Sequence, residues 1–362
     1  MLLLLVTNAR ADRFGLEAVD SVSGGPGYEY LGFGFAPLGD LDGDGFGEAA
    51  LGGLAYYGQP GVVLIEGSRS GVSGVTHARM DAAGDAECCF SPTAGDSDGD
   101  GFSDLVVGAW LGDLSGPSWA AVLRGSAGGI EATPSTLLYD PTPVADRSTY
   151  GSHLSFVGDL DGDGTDDLGV GVTLYAVDQP GEVLLYAGSA SRFSASPDIE
   201  LTAPTSHASF GDALDAAGDM DGDGADDLVV GNPKRYELTA SGVAYVFGDG
   251  ATPTELAELT VAGVSEEFGS VVAGTGDVNG DGYDDVAIPD PRLCEREAQE
   301  SKLYVFFGAS VIDPAAVQSV ACVDAVYDEF ASDIDGTGDV DADGYADVVV
   351  GNASYGVASA RL

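Results

Sequence analysis

Short apolar runs recur along the whole chain, each closed by Gly, Pro, Asp or Ser, as in Asp104-Leu105-Val106-Val107 and Val183-Leu184-Leu185-Tyr186. They are rich in Val, Leu, Tyr and Phe, side chains that suit a pleated, half-buried surface. No segment keeps a 3.6-residue apolar period, so the pattern predicts an all-β fold. The runs come in sets of four. An aromatic and small-residue segment leads, as in Leu31-Gly32-Phe33-Gly34-Phe35, Ser209-Phe210-Gly211 and Glu267-Phe268-Gly269. An apolar run ending in Gly follows, such as Leu228-Val229-Val230-Gly231, then a second one, such as Gly242-Val243-Ala244-Tyr245-Val246-Phe247-Gly248. A short alternating segment, such as Ile199-Glu200-Leu201-Thr202, completes the set.

Four short strands cannot bury both faces of their own sheet, and radial repetition solves that, so the expected architecture is a β-propeller of four-stranded antiparallel blades. An open solenoid is the architectural rival, but neither end looks like a dedicated cap. Repeats fall at about 28–83, 84–145, 146–203, 204–262, 263–324 and 325–362, within one domain spanning 1–362. That count gives six blades. The sixth repeat supplies two strands and a short third over Gly356-Val357-Ala358-Ser359-Ala360, and Leu16-Glu17-Ala18-Val19-Asp20 is expected to close its blade. Residues 1–27 are thus a leader remnant, outer strands of the closing blade, or both. Met1 to Val6 with Ala9-Arg10-Ala11 fits a short leader with an A-x-A site, and equally a plain strand.

Between the first two runs of every set lies an acidic loop, D-x-[DN]-x-D-G-x-x-[DE]. The loops open at Asp40, Asp96, Asp159, Asp219, Asp277 and Asp339, at spacings of 56, 63, 60, 58 and 62 residues. Position 3 is Asp42, Asp98, Asp161, Asp221, Asn279 and Asp341, and position 5 is Asp44, Asp100, Asp163, Asp223, Asp281 and Asp343. Position 6 is Gly throughout, which suits a sharp reversal with positive φ. Position 7 varies (Phe46, Phe102, Thr165, Ala225, Tyr283, Tyr345), as a backbone carbonyl ligand would allow. Position 9 is acidic again: Glu48, Asp104, Asp167, Asp227, Asp285 and Asp347. Ca²⁺ takes about 6–8 oxygen ligands, and alternate carboxylates on a tight turn aim several at one centre. The loops therefore predict calcium at about six sites. The ligand set is larger than the compact octahedron of Mg²⁺ usually takes from protein. An EF-hand would need Glu at position 12 between helices, whereas position 12 here is Leu51, Val107, Val170, Val230, Ile288 and Val350. Acidic Asp-Gly turns are common in hairpins, but four oxygen ligands at fixed positions, six times over, exceed what a turn requires.

Composition narrows the partners. The chain has 362 residues, 60 acidic against 13 basic, and a net charge of -47. Such a surface repels nucleic acid and anionic lipid and favours cations. No apolar run reaches the ~18 residues that cross a bilayer. Cys88, Cys89, Cys294 and Cys322 form no C-x-x-C pair, which speaks against thiolate zinc; Cys294 and Cys322 share a repeat and could form a disulfide in an exported protein.

The combination resembles the FG-GAP repeat of integrin α-subunit propellers and bacterial surface proteins. Its "FG" is Phe33-Gly34, Phe210-Gly211 and Phe268-Gly269, worn to Cys89-Phe90-Ser91, Tyr150-Gly151 and Phe330-Ala331 elsewhere. Its "GAP" is Gly108-Ala109-Trp110, Gly231-Asn232-Pro233 and Gly351-Asn352-Ala353. The resemblance implies an extracellular, secreted or cell-surface propeller with calcium between strands one and two of each blade, and a role in adhesion or ligand recognition. It also raises seven blades as an alternative to six, since integrin propellers have seven.

In an up-and-down blade the loops alternate between two faces. The face opposite the acidic loops should collect Tyr56, Tyr57, Trp110, Trp119, Tyr175, Lys234, Arg235, Tyr236, Arg292 and Arg296, aromatic and basic anchors for a protein or glycan ligand. The histidines are His77, His153 and His207, and no G-x-S-x-G or H-E-x-x-H motif occurs. The chain is expected to be a calcium-stiffened binding or adhesion module and not an enzyme. A calcium-stabilised envelope spacer and a polysaccharide-active enzyme on a propeller scaffold are the alternatives.

Overall fold

The structure is a computed structural model. It describes residues 2–5, 18–22, 31–41, 45–53, 61–68, 74–79, 90–109, 118–131, 133–141, 149–173, 181–203, 209–234, 241–248, 250, 252–290, 301–321, 328–354 and 359–361. Every regular element among them is a strand. In chain order these are β1 (Leu2–Leu5), β2 (Ala18–Val22), β3 (Leu31–Gly39), β4 (Glu48–Gly53), β5 (Gly61–Glu66), β6 (Gly74–Arg79), β7 (Phe90–Gly95), β8 (Asp104–Ala109) and β9 (Trp119–Leu123). Then come β10 (Thr136–Tyr139), β11 (His153–Phe156), β12 (Leu168–Val172), β13 (Glu182–Tyr186), β14 (Ile199–Thr202), β15 (Ala213–Gly218), β16 (Asp227–Asn232), β17 (Val243–Phe247) and β18 (Glu255–Leu259). The last are β19 (Ala273–Gly276), β20 (Asp285–Asp290), β21 (Lys302–Phe306), β22 (Val317–Ala321), β23 (Asp328–Gly338), β24 (Asp347–Ser354) and β25 (Ser359–Arg361).

The sheets follow the repeats. β3 to β6, β7 to β10, β11 to β14, β15 to β18 and β19 to β22 are five four-stranded sheets in sequential order, the blades of an all-β propeller fold. The described pairings within them are antiparallel, as Leu228↔Phe247 and Val286↔Phe306 illustrate. Two expectations are corrected here. Among the described residues there are five four-stranded blades, not six or seven, because the sheet of the sixth repeat has three strands, β23-β24-β25. The N-terminal strand expected to complete that sheet pairs elsewhere: β2 runs antiparallel to β1, with Leu2↔Val22 and Leu4↔Asp20, in a sheet of its own. The apolar Leu2–Leu5 run offers β2 a partner nearby in sequence, at a lower loop-closure cost than one at the far end of the chain. The expected third strand of the last sheet is present as β25, paired to β24 through Gly351↔Ala360.

The chain divides into two compact units, 1–154 with 189–196, and 155–188 with 197–362. In the second unit the alternation of strand side chains explains why the second and third strands of a blade are apolar throughout. Leu228, Val230, Tyr245 and Phe247 join a buried cluster with Val183 and Leu185 of the preceding blade. Val229, Ala244 and Val246 point the other way, into a cluster with Val286, Ile288 and Phe306 of the following blade. Each strand is thus buried on both faces, and a strict apolar-polar alternation is lost. Phe210 and Phe268 fill the wedges between blades. Phe210 meets Tyr245 and Phe247 edge-on at 6.0 Å, and Phe268 meets Tyr304 at 5.9 Å. In the first unit Leu38, Val62, Leu105, Val107 and Trp119 form the corresponding cluster between the blades β3–β6 and β7–β10.

Candidate metal centre

Each acidic loop caps the hairpin between the first and second strand of its sheet, as the sequence predicts. The backbone holds the carboxylates by one repeated scheme. The N–H at position 6 donates to Oδ2 of position 1 in all six loops, at 2.8–3.1 Å: Gly45 to Asp40, Gly101 to Asp96, Gly164 to Asp159, Gly224 to Asp219, Gly282 to Asp277 and Gly344 to Asp339. In loops two to six the position-5 N–H donates to Oδ1 of positions 1 and 3, as Asp223 does to Asp219 (3.0 Å) and Asp221 (3.1 Å). The position-7 N–H donates to Oδ1 of position 5, as Tyr283 does to Asp281 and Tyr345 to Asp343. The position-6 glycines have φ between +88° and +100°, with open space where a Cβ would stand, so conformation and not room demands Gly there.

These bonds gather carboxylates that would otherwise repel one another. One oxygen each from Asp96, Asp98 and Asp100 lie within 4.8 Å of one another, and the same holds for Asp159, Asp161 and Asp163, for Asp219, Asp221 and Asp223, and for Asp339, Asp341 and Asp347. In loop five Asn279 takes position 3 and donates through Nδ2 to Asp281. In loop one Asp42 and Asp44 lie outside the described residues.

The position-9 acid has a role that sequence reasoning missed. One of its oxygens accepts the N–H of position 2, as Glu48 does from Leu41, Asp167 from Leu160, Asp227 from Met220, Asp285 from Val278 and Asp347 from Val340. The other accepts from a Gly just past the third strand: Gly67 to Glu48, Gly125 to Asp104, Gly188 to Asp167 and Gly308 to Asp285. The acid therefore latches the loop to the third strand, and the recurring Gly some twenty residues downstream is the signal that could have revealed it. In loop four the residue in that register is Asp249, which lies outside the described residues. There Asp227 is buried and its Oδ1 has no hydrogen-bond partner among the described residues. A buried carboxylate oxygen without a donor is costly, and it faces loop acids that raise the cost. Burial first, then repulsion by Asp221, pushes Asp227 up to about 7; burial likewise pushes Asp167 to about 7 and Asp285 to about 6. Crowded hard oxygen donors and an orphaned buried carboxylate oxygen fit a divalent cation held by positions 1, 3 and 5 with the position-9 acid beside them.

Loop two is different. Arg124, directly after β9, forms an ion pair with Asp98 and donates from Nη2 to the Ser191 carbonyl at 2.9 Å. Position 2 is Ser97, whose hydroxyl donates to Oδ2 of Asp104. Both oxygens of that position-9 acid are satisfied.

The profile of the FG-GAP repeat family matches residues 210–247, which hold Phe210-Gly211, the fourth acidic loop and β15 to β17. Residues 210–247 thus carry the FG-GAP repeat pattern. Integrin alpha-4 of Xenopus laevis is 32% identical over 149 residues, covering 39% of this chain and 14% of that protein. Integrin alpha-IIb of Mus musculus is 32% identical over 164 residues, 42% of this chain and 15% of that protein. Integrin alpha-5 of Xenopus laevis is 27% identical over 213 residues, 55% of this chain and 19% of that protein. The matches thus span less than a fifth of each relative's own length.

The two marks that name the FG-GAP repeat meet across blade boundaries. A Cβ on Gly231 of one "GAP" would lie 1.9 Å from the carbonyl oxygen of Gly269 in the next "FG". Gly269 itself has φ +83°, which L side chains rarely adopt. The motif records close backbone approach between neighbouring repeats.

The predicted ligand face is mostly beyond reach. Tyr56, Tyr57, Trp110, Tyr175, Arg235, Tyr236, Arg292 and Arg296 lie outside the described residues, as do all four cysteines and His207. Trp119 is corrected: it opens β9 and is buried in the core, 1% exposed, so it cannot serve as a surface anchor. Lys234 follows β16, and its N–H donates to the Glu266 carbonyl. Among the described residues no helix is long and apolar enough to cross a membrane.

Proposed function

We propose that this FG-GAP chain is a calcium-stiffened, extracellular module that recognises a protein or glycan ligand, with the acidic loops as its cation sites and no catalytic role. The observation that carries the reading is loop four, where three converging carboxylates stand beside the buried Asp227, one of whose oxygens has no hydrogen-bond partner among the described residues. Positions 1, 3, 5 and 9 would supply carboxylate or amide oxygens and position 7 a backbone carbonyl. The bound ion would supply the positive charge that these crowded acids lack. The backbone does the rest: it orients each carboxylate through the position-5, position-6 and position-7 N–H groups before any ion arrives. Similarity to integrin α-subunits supports the adhesive and extracellular parts of the reading; the alternation of loops between the two ends of each blade favours the face opposite the acidic loops for the ligand.

A thermal melt with calcium and with chelator tests the cation claim, and the expected outcome is a calcium-dependent rise in Tm. An unchanged melt and a flat calcium isotherm would overturn it. A screen of the calcium-loaded protein against immobilised glycans and extracellular proteins tests the ligand claim. Turnover of a polysaccharide in that screen would favour an enzyme instead.

A further inference from the structure

The loops of the second unit are not independent turns; each is bonded to the next through position 8, and at two of the three joints a position-7 ring adds to it. Asp284, at position 8 of loop five, accepts the N–H of Asp219, at position 1 of loop four, on Oδ2 at 3.0 Å. In return the Asp284 N–H donates to the Asp219 carbonyl at 3.1 Å. The ring of Tyr283, position 7 of loop five, rests on Gly222 of loop four, where a Cβ would lie 2.5 Å from the ring. Three contacts therefore tie loop five to loop four, two of them at Asp219, the residue that opens it.

The neighbouring joints keep part of this scheme. Between loops three and four, Asp226 Oδ2 accepts the Asp159 N–H at 3.0 Å, but position 7 is Ala225 and no ring is present. Between loops five and six, the ring of Tyr345 rests on Gly280 and the Ala346 N–H donates to the Asp277 carbonyl at 3.0 Å, but Ala346 has no carboxylate to return. The joints are thus graded, with the four–five joint the most complete.

We propose that loops three to six bind cations as a coupled row, with Asp284 and Asp226 as the positioning residues that transmit occupancy from one loop to its neighbour. This rests on the reading of the loops as calcium sites. The physical chain is short. A cation in loop four fixes Asp219, and Asp219 fixes the backbone and carboxylate of Asp284. Asp284 lies between Tyr283, whose carbonyl would be a ligand of loop five, and Asp285, its position-9 acid. Ordering that segment in advance lowers the entropic cost of filling loop five, and the coupling is reciprocal.

Hydrogen exchange followed by mass spectrometry tests this loop by loop, reading protection of the segment 277–285 against free calcium. Disabling loop four with Asp221→Ala and Asp223→Ala, which spares the Asp219–Asp284 bonds, should raise the calcium midpoint of loop five about fivefold. In an Asp284→Ala background the same pair should add a clearly smaller shift, carried only by the backbone bond and the Tyr283 ring, while Asp284→Asn, which keeps an acceptor for the Asp219 N–H, should retain the full one. If Asp284→Ala does not fold, Asp226→Ala read on segment 159–167 repeats the test at the smaller joint. A loop-five midpoint indifferent to loop four would overturn the coupling and leave calcium binding intact. An absence of calcium-dependent protection in every loop would overturn both.

Discussion

Loops two and four share a pattern and solve its electrostatic problem differently. In loop two Arg124 meets Asp98, and Asp104 has both oxygens bonded, to Ser97 and Gly125. In loop four Asp227 shares the buried setting of Asp104, but one oxygen has no hydrogen-bond partner among the described residues. The first loop carries part of its own countercharge. On the proposed reading, the second takes its countercharge from a cation in solution. A repeated motif therefore does not imply a repeated electrostatic setting: if the loops bind a cation as proposed, residues outside the motif, such as Arg124 and the residue in register with Gly125, set how far each copy depends on it.

The largest expected effect separates the two loops directly. Asp221→Ala with Asp223→Ala should remove the calcium-dependent stabilisation of loop four, about 2.7 kcal/mol at calcium a hundredfold above Kd, read as a fall in Tm in calcium but not in chelator. The matching pair in loop two, Asp98→Ala with Asp100→Ala, should lose less than half of that. Equal losses would erase the contrast.

A pH series on calcium-free protein comes next. Asp227 is held near 7 against an ordinary value of 3.8, so the folded state binds its proton more tightly than the unfolded chain. The stability this contributes is present below the ordinary value and is lost as pH rises through about 7. The melt should therefore fall between pH 5 and 7, by up to about 1.4 kcal/mol per pH unit for such a group. Asp215 adds to the same slope: burial raises it to about 7 although it accepts from the Ser155 hydroxyl and the Gly274 N–H. Asp227→Asn should flatten the slope by one group's share. Asp104→Asn should change it less, because the bonds from Ser97 and Gly125 offset the burial that raises Asp104. Saturating calcium should reverse the trend, since protons then compete with the ion.

Much of this was legible in the sequence, for physical reasons. Strand-length apolar runs and a fixed loop period report local geometry, so the blades and the hairpin position of each loop could be read directly. Position-6 Gly showed its positive φ through its invariance among the six copies. Closure of the last sheet could not be read, because two apolar segments, Leu2–Leu5 and the last repeat, compete for Ala18–Val22, and pairing is decided by tertiary context. Trp119 was misplaced because an aromatic beside a polar loop looks like an anchor, whereas its register opposite Ala109 and Tyr139 puts it inside. The latch of the position-9 acid and the position-8 joints escaped because they act through backbone groups, which a sequence does not display.

Loop six extends the comparison with a backbone defect. Position 4 is Gly99 in loop two and Gly222 in loop four, with φ +69° and +80°, but loop six has Ala342 at +61°. A left-handed residue with a Cβ costs about 1 kcal/mol. Ala342→Gly should recover about that amount in a chelator melt, and sharpen the calcium isotherm of the loop by ordering it beforehand. The reverse change, Gly222→Ala, should be worse than its φ alone suggests, because the new Cβ would also meet the ring of Tyr283.

The smallest effect is the one that breaks the comparison. The Arg124–Asp98 pair is partly exposed, at 19% and 9%, so it contributes only about 0.5 kcal/mol in chelator. Arg124→Gln should cost that much and should leave Asp98 facing Asp96 and Asp100 without a cation. Loop two would then resemble loop four: its calcium midpoint should fall by about twofold, and calcium should restore the lost stability in full. Hydrogen exchange of segment 96–104 against calcium reads the first effect, and paired melts read the second. An unchanged midpoint would mean that Arg124 only buttresses β9 and the Ser191 carbonyl. The countercharge of loop two would then lie in the bonds of Ser97 and Gly125 alone.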